Sequence, residues 1–152
     1  MKYYVVFNGD WKKASDNLKA MREEIKIIHT SLDARKGLHV EITLSGNGKS
    51  QIDLIREAHE NGFEVTLIYV AIDSYERAIK RVNERVKKGG HGIPPDLIKK
   101  RYYQSLKNLS VIEPKVDIVY IFDNTNKFVN VYFRDSESIK INDLLSYPWI
   151  KI

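Results

Sequence analysis

Two arginines, Arg81 and Arg85, lie four residues apart in a stretch with helical periodicity, so they share one helix face, which Arg77 extends. A basic, glycine-rich loop follows at residues 87–95, and Arg101 comes next along the chain. Arginines beside a mobile loop are typical of lids over phosphate groups, where a guanidinium stabilises charge on the transferring phosphoryl group. The alternative interpretation is a solvated helix face with salt bridges to neighbouring glutamates.

A partial phosphate-binding motif stands at residues 46–50, between a predicted strand and a predicted helix. The full motif has eight residues, G-x-x-x-x-G-K-[S/T], so that successive backbone N–H groups surround the phosphates. Gly48, Lys49 and Ser50 match its end, but Thr43 stands where its first glycine is required. We favour a glycine turn before a helix capped by Ser50. The alternative is a nucleotide site formed by Gly46, Gly48, Lys49 and Ser50.

Two carboxylates, Asp10 and Glu41, stand at or near the ends of adjacent predicted strands. A carboxylate in such a position is costly unless it is hydrogen-bonded or used. Each side chain taken alone could be structural, as a turn former for Asp10 or an ion-pair partner for Glu41. Their common position in one predicted sheet favours function, because a single ligand could contact both.

The predicted elements alternate between strands and helices. Strands are predicted at residues 3–7, 38–44, 63–72 and 117–122, helices at 14–35, 50–60, 74–87 and 94–109, and a terminal hairpin at 128–133 and 138–141. This order predicts an α/β fold with a mainly parallel sheet, helices on both faces and a C-terminal β-hairpin. Ligands bind such sheets at the carboxyl ends of the strands.

Composition limits the classes of function. The chain has 152 residues, a formal net charge of +5 and no cysteine, which excludes disulfides and cysteine-based metal sites. Its four histidines show no metal-ligand spacing, so we predict no histidine-based metal site. No apolar run is long enough to cross a bilayer and the N-terminus does not resemble a signal peptide, so a cytoplasmic location is the default expectation.

Several short motifs, taken together, resemble the zeta-toxin-like P-loop kinases of bacteria. Residues 41–46, Glu-Ile-Thr-Leu-Ser-Gly, are similar to that family's E-T-T-L-S-G motif. The order of the later motifs also matches: Arg-Val at 81–82 and 85–86, Gly-Gly-His at 89–91, Ile-Pro at 93–94, Arg-Tyr at 101–102, Ser105, Asn-Leu at 108–109, Asp-Asn-Thr at 123–125 and Trp149. The resemblance spans roughly residues 4–149.

The resemblance implies a P-loop-kinase-like fold and ATP-dependent phosphorylation, with Mg²⁺, of a hydroxyl on a nucleotide sugar such as UDP-N-acetylglucosamine. It implies that Asp10 accepts the proton of the substrate hydroxyl and that Glu41 and Thr43 bind the substrate. Arg81 or Arg85, together with Arg101, would hold the transferring phosphoryl group. It also implies a possible antitoxin protein as partner.

One departure from the family separates the functional hypotheses. In the family a strand, a Walker A loop and a helix precede the element that matches residues 3–10, so we expect a single domain over residues 1–152 that is N-terminally truncated. The chain could be part of a split or truncated kinase, or residues 46–50 could have taken over the phosphates. Alternatively, it could be a catalytically inactive nucleotide or nucleotide-sugar binder. Nucleic-acid binding through the basic loop is a weaker hypothesis and predicts steep salt dependence.

Overall fold

A computed structural model of the chain describes residues 13–141 and 144–152. These residues fall into two compact units, up to Val40 and from Glu41 to Ile152. The helices are α1 (Ala14–Asp33), α2 (Lys49–Glu60), α3 (Tyr75–Lys87) and α4 (Pro95–Ile112), and the strands are β1 (Thr66–Ala71), β2 (Ile118–Asp123), β3 (Val129–Arg134) and β4 (Ile139–Ile141). No helix in the described ranges is both long and apolar enough to cross a membrane.

The described part of the first unit contains α1. The sequence predicted this helix at residues 14–35, but it ends at Asp33. Arg35 adopts the left-handed conformation (φ 49°) and its N–H donates to the Leu32 carbonyl, while the Lys36 N–H donates to the Ser31 carbonyl. This is the double hydrogen bond that closes many helices, although a glycine usually occupies the left-handed position.

The second unit contains a four-stranded mixed sheet in the order β1-β2-β3-β4. β1 and β2 are parallel, whereas β2–β3 and β3–β4 are antiparallel. The α/β class and the terminal hairpin are confirmed, but the prediction of a mainly parallel sheet is wrong for the described chain. Only five residues connect β2 to β3, and so short a connection can join only antiparallel neighbours.

The strand predicted at residues 38–44 is absent from this described segment. Leu38 and Ile42 are 37% and 48% exposed, so most of the segment gains little from apolar burial. Leu44 alone in this stretch is buried in the core of the second unit. The strand predicted at residues 3–7 lies outside the described residues.

The core of the second unit lies between α4 and the sheet. Its fully buried side chains are Leu109 and Ile112 of α4, Val119 and Ile121 of β2, and Val131 of β3. Burying an aliphatic side chain of this size contributes about 1.5–3 kcal/mol. Alternate residues of β2 point into this core. This packing fixes the orientation of the carboxyl end of β2 and so the position at which the following loop begins.

Candidate functional site

The carboxyl ends of β1 and β2 are joined by hydrogen bonds from the residues that follow them. The Asn124 N–H donates to the Ala71 carbonyl at 2.8 Å, and the Asp73 N–H donates to Thr125 Oγ1 at 3.0 Å. Thr125 Oγ1 in turn donates to Asp123 Oδ1 at 2.7 Å, and the Thr125 N–H donates to Asp123 Oδ2 at 3.0 Å. Asp123 and Thr125 are buried. The two strand ends therefore form one fixed edge.

Arg77, the first arginine of α3, is neutralised by a carboxylate. Its Nε and Nη2 donate to the two carboxylate oxygens of Asp73 at 2.6 and 2.7 Å. The Arg77 guanidinium is the largest cause that holds the pKa of Asp73 below its ordinary value. A paired guanidinium of this kind anchors the start of α3 to the strand edge and has little charge left for a ligand.

Arg81, one turn further along α3, is held by carbonyl groups instead. Its Nη2 donates to the Asn124 carbonyl at 2.6 Å and to the Thr125 carbonyl at 3.1 Å. Within the described ranges, the side chain forms no ion pair with a carboxylate. Since carbonyl oxygens carry only partial charge, Arg81 is fixed in position while most of its positive charge stays uncompensated.

Arg85 is held in the same way, by the loop that closes α3. Its Nη2 donates to the His91 carbonyl at 2.9 Å. The Gly89 N–H donates to the Val86 carbonyl and the Gly90 N–H to the Arg85 carbonyl, with Gly89 at φ +86°. This pattern is a Schellman motif, so the glycines that the sequence marked as a flexible loop form an ordered helix end.

The two arginines line one open cavity of about 460 Å³. Its lining consists of Arg81, Glu84, Arg85, Lys88, Gly89 and Gly90. Three cations and one carboxylate leave an excess of positive charge in a concave surface, which favours an anionic ligand. Arg101 on α4 is half-buried and is not among the residues that line this cavity.

The residues of the partial phosphate-binding motif form the start of α2. Gly48 is the N-cap at φ +75°, and its carbonyl accepts from the Ile52 N–H, so the prediction of Ser50 as the cap is wrong. The Asn47 side chain accepts from the Lys49 N–H at 3.1 Å, and Ser50 Oγ donates to Gln51. The side chain of Asn47, and not that of Ser50, therefore accepts a hydrogen bond from a backbone N–H at the start of α2.

The side chain of Lys49 lies along its own helix. Its Nζ forms a 2.6 Å ion pair with Asp53, which also accepts from Arg56. The Gly46 N–H donates to Gln104 of α4 at 3.0 Å. In the described structure, then, two groups expected to contact phosphates in the nucleotide-site alternative have partners within the protein.

Two polar residues of α4 that the sequence did not assign a role hold this turn. Asn108 is buried, and its Nδ2 donates to the Leu44 carbonyl at 2.9 Å and to the Gly46 carbonyl at 3.3 Å. Gln104 accepts from Gly46 as described above. The sequence did contain an indication for Asn108, because it stands among apolar residues of one helix and a buried amide needs hydrogen-bond partners.

The remaining predicted site residues are not brought to the arginine cavity by the described structure. Glu41 and Thr43 are exposed, and Thr43 Oγ1 lies 3.0 Å from Ser45 Oγ. Asp10 lies outside the described residues. The roles predicted for Asp10, Glu41 and Thr43 therefore stay predictions.

Tyr102 follows Arg101 in α4. Its hydroxyl group donates to the Ile72 carbonyl at 3.2 Å, and burial raises the pKa of Tyr102 to about 12.

Comparison with known proteins gives one family. The sequence profile of the family described as "Zeta toxin" matches residues 13–137. A stretch of 86 residues is 41% identical to an "Uncharacterized protein" of Haemophilus influenzae (strain ATCC 51907 / DSM 11121 / KW20 / Rd) and covers 57% of this chain. The match spans 60% of that protein's length. No solved structure matches the chain.

Proposed function

Because the chain belongs to the zeta toxin family, we propose that it acts in ATP-dependent phosphoryl transfer, with Arg81 and Arg85 binding the phosphates. The observation that supports this most directly is the anchoring of both guanidinium groups by backbone carbonyls rather than by carboxylates. An arginine that is positioned but not neutralised is suited to a multiply charged ligand.

The chemistry of the cavity fits the phosphates of Mg-ATP. Phosphoryl transfer depends mainly on positioning and on stabilising charge that spreads over the phosphoryl oxygens. ATP would supply the phosphoryl group, and Mg²⁺ would neutralise part of its charge. The described residues include no group of three or more His, Asp or Glu side chains that could hold a metal ion. Mg²⁺ would enter with the nucleotide, because it is commonly held by substrate phosphates together with one or two carboxylates.

As the acceptor we propose a hydroxyl group of a nucleotide sugar such as UDP-N-acetylglucosamine. This assignment depends on the likeness of residues 41–46 to the family motif, with Glu41 and Thr43 as substrate-binding residues and Asp10 as the base. Arg101 would assist at the transferring group. Replacing Asp10 by Asn is then expected to abolish turnover while substrate affinity is retained, and unchanged turnover would remove Asp10 from the mechanism.

The experiment that tests the phosphate site is a calorimetric titration of the chain with Mg-ATP. We expect Arg81→Gln and Arg85→Gln each to weaken binding about 10- to 100-fold, since each removes a charge-assisted hydrogen bond to phosphate. Lys80→Gln is the matched control, because it removes one positive charge from an exposed position on the same helix that does not line the cavity. An equal loss in all three variants would show a general charge effect and contradict the site.

A second measurement separates catalysis from binding. Radiolabelled phosphate from ATP is followed onto UDP-N-acetylglucosamine, with and without a candidate antitoxin protein. Transfer that is lost in Arg81→Gln supports the kinase. Saturable Mg-ATP binding without transfer would instead support the nucleotide-binding alternative.

A further inference from the structure

We propose that Thr125 is a positioning residue for Arg81, and that its hydroxyl group sets the geometry of the phosphate site through the loop after β2. The inference rests on the proposed function for its effect on ATP. It also predicts a structural change at Arg81 that can be measured without ATP.

The hydroxyl of Thr125 connects the loop after β2 to two other residues of the strand edge. It donates to Asp123 at the end of β2 and accepts from the backbone N–H of Asp73 after β1. A hydroxyl group can do both at once, whereas a methyl group can do neither. Thr125 is 7% exposed and Asp123 is 4% exposed, so water cannot easily replace these bonds.

The backbone of the same residue holds the arginine. The carbonyl groups of Asn124 and Thr125 are the two acceptors for Arg81 Nη2. If the Thr125 hydroxyl is lost, the buried Asp123 carboxylate loses one of its two bonds to Thr125 and the loop loses its bond to Asp73. The two carbonyls then have fewer constraints, and the guanidinium that depends on them moves with them.

The first test compares Thr125→Val, which nearly keeps the side-chain shape, with Thr125→Ser, which keeps the hydroxyl group. We expect Thr125→Val to weaken Mg-ATP binding about fivefold and Thr125→Ser to stay within about twofold of the unchanged chain. Thermal unfolding of each variant shows whether it is folded under the conditions of the titration.

A double-mutant cycle with Arg81→Gln distinguishes positioning from general destabilisation. If Thr125 acts through Arg81, Thr125→Val adds less than about twofold in the Arg81→Gln background. The same loss in both backgrounds would overturn the inference while leaving the phosphate site intact. No effect of Arg81→Gln alone would instead contradict the proposed phosphate site.

The second readout is the NMR signal of the Arg81 Nε–H group, identified by its disappearance in Arg81→Gln. We expect this signal to shift or broaden in Thr125→Val and to be restored in Thr125→Ser. Arg134 supplies an internal control, because its Nε donates to Glu113 at 2.6 Å, away from this edge. An Arg81 signal that is unchanged in Thr125→Val overturns the inference whether or not ATP binds.

Discussion

Two glycine-containing turns of the second unit, residues 45–48 and residues 88–91, differ in the groups that hold the cations beside them. The first begins α2, and its lysine is paired with a carboxylate on the same helix. The second ends α3, and its arginine is held by a backbone carbonyl. The sequence motif for phosphate binding stands at the first turn, whereas Arg85, which forms no ion pair with a carboxylate among the described residues, stands at the second.

The two turns differ in the type of group that holds the cation, and we propose that this partner, more than the identity of the cation, determines whether the cation can bind a ligand. Lys49 and Arg77 each have a carboxylate one helical turn away. Arg81 and Arg85 have carbonyl partners instead, and they share a cavity. Variants that change the two turns separately can test whether this contrast governs ligand binding.

The largest effect is expected at Gly48, in the first turn. An added Cβ would lie 3.1 Å from Asn108 Oδ1, and the residue is at φ +75°. Gly48→Ala should lower the free energy of unfolding by about 2–4 kcal/mol, from strained backbone and crowding together. Denaturant titration measures this change.

Gly46→Ala is the control for the backbone contribution. Gly46 has a similar φ of +81°, but nothing lies within 4 Å of an added Cβ. We expect a loss of only about 1–2 kcal/mol. Equal losses at the two glycines would show that crowding of the added Cβ against Asn108 makes no contribution.

A smaller effect is expected at Gly90, in the second turn. An added Cβ would meet Arg85 Cγ at 2.5 Å and the Arg85 carbonyl at 3.0 Å, so Gly90→Ala should displace Arg85 and cost about 1–3 kcal/mol. It should also weaken Mg-ATP binding, measured by calorimetry. Gly92→Ala makes only an ordinary 3.4 Å contact with Val86 and should change stability by less than about 0.5 kcal/mol. Equal ATP affinity in both variants would argue against a role for Arg85.

The smallest effect is expected at Lys49. Lys49→Ala should leave Mg-ATP affinity within about twofold if the arginine cavity binds the phosphates, since removal of an exposed ion pair has little effect elsewhere. Complete loss of binding in this variant would indicate that residues 46–50, and not the arginine cavity, bind the phosphates.

The pKa of Asp53 provides a second test of whether Lys49 binds the nucleotide. The hydrogen bond from Lys49 is the largest cause that lowers the pKa of Asp53 below its ordinary value of 3.8. The stabilisation from this pair is present above pH 3.8 and is lost as the pH falls through the lowered pKa. In NMR titrations the pKa should rise in Lys49→Ala, and saturating Mg-ATP should leave it unchanged. A rise with Mg-ATP would show that Lys49 leaves Asp53 for the nucleotide.

The sequence was most informative where periodicity and capping residues agreed. The helix predicted at residues 74–87 appears as α3 (Tyr75–Lys87), and it is capped by Ser74, whose Oγ accepts from the Arg77 N–H. The predicted strand at residues 117–122 appears one residue later, as β2. Strand direction was less predictable, because alternating apolar residues look the same in parallel and antiparallel pairs. In this chain the short loop between β2 and β3 determines the strand direction, because it places β3 antiparallel to β2.

For the site, the sequence placed Arg81 and Arg85 on one helix face, which the shared cavity bears out. It could not show that Arg77 is neutralised by Asp73, or that Arg81 is bound by carbonyls 43 and 44 residues further along the chain. Backbone carbonyls have no residue identity, so contacts of this kind leave no motif. The roles of Gln104, Asn108 and Thr125 likewise depend on tertiary neighbours.

The mixed sheet has a consequence for the order of folding. β2, β3 and β4 are joined by short connections, so their antiparallel pairing needs few long-range contacts. The β1–β2 pair is separated in sequence by α3 and α4. We therefore expect this pair, and the edge that holds Arg81, to form later, and pulse-labelled hydrogen exchange should protect β3 before β1. A folding intermediate would then contain the hairpin strands while its arginines had not yet reached their carbonyl partners.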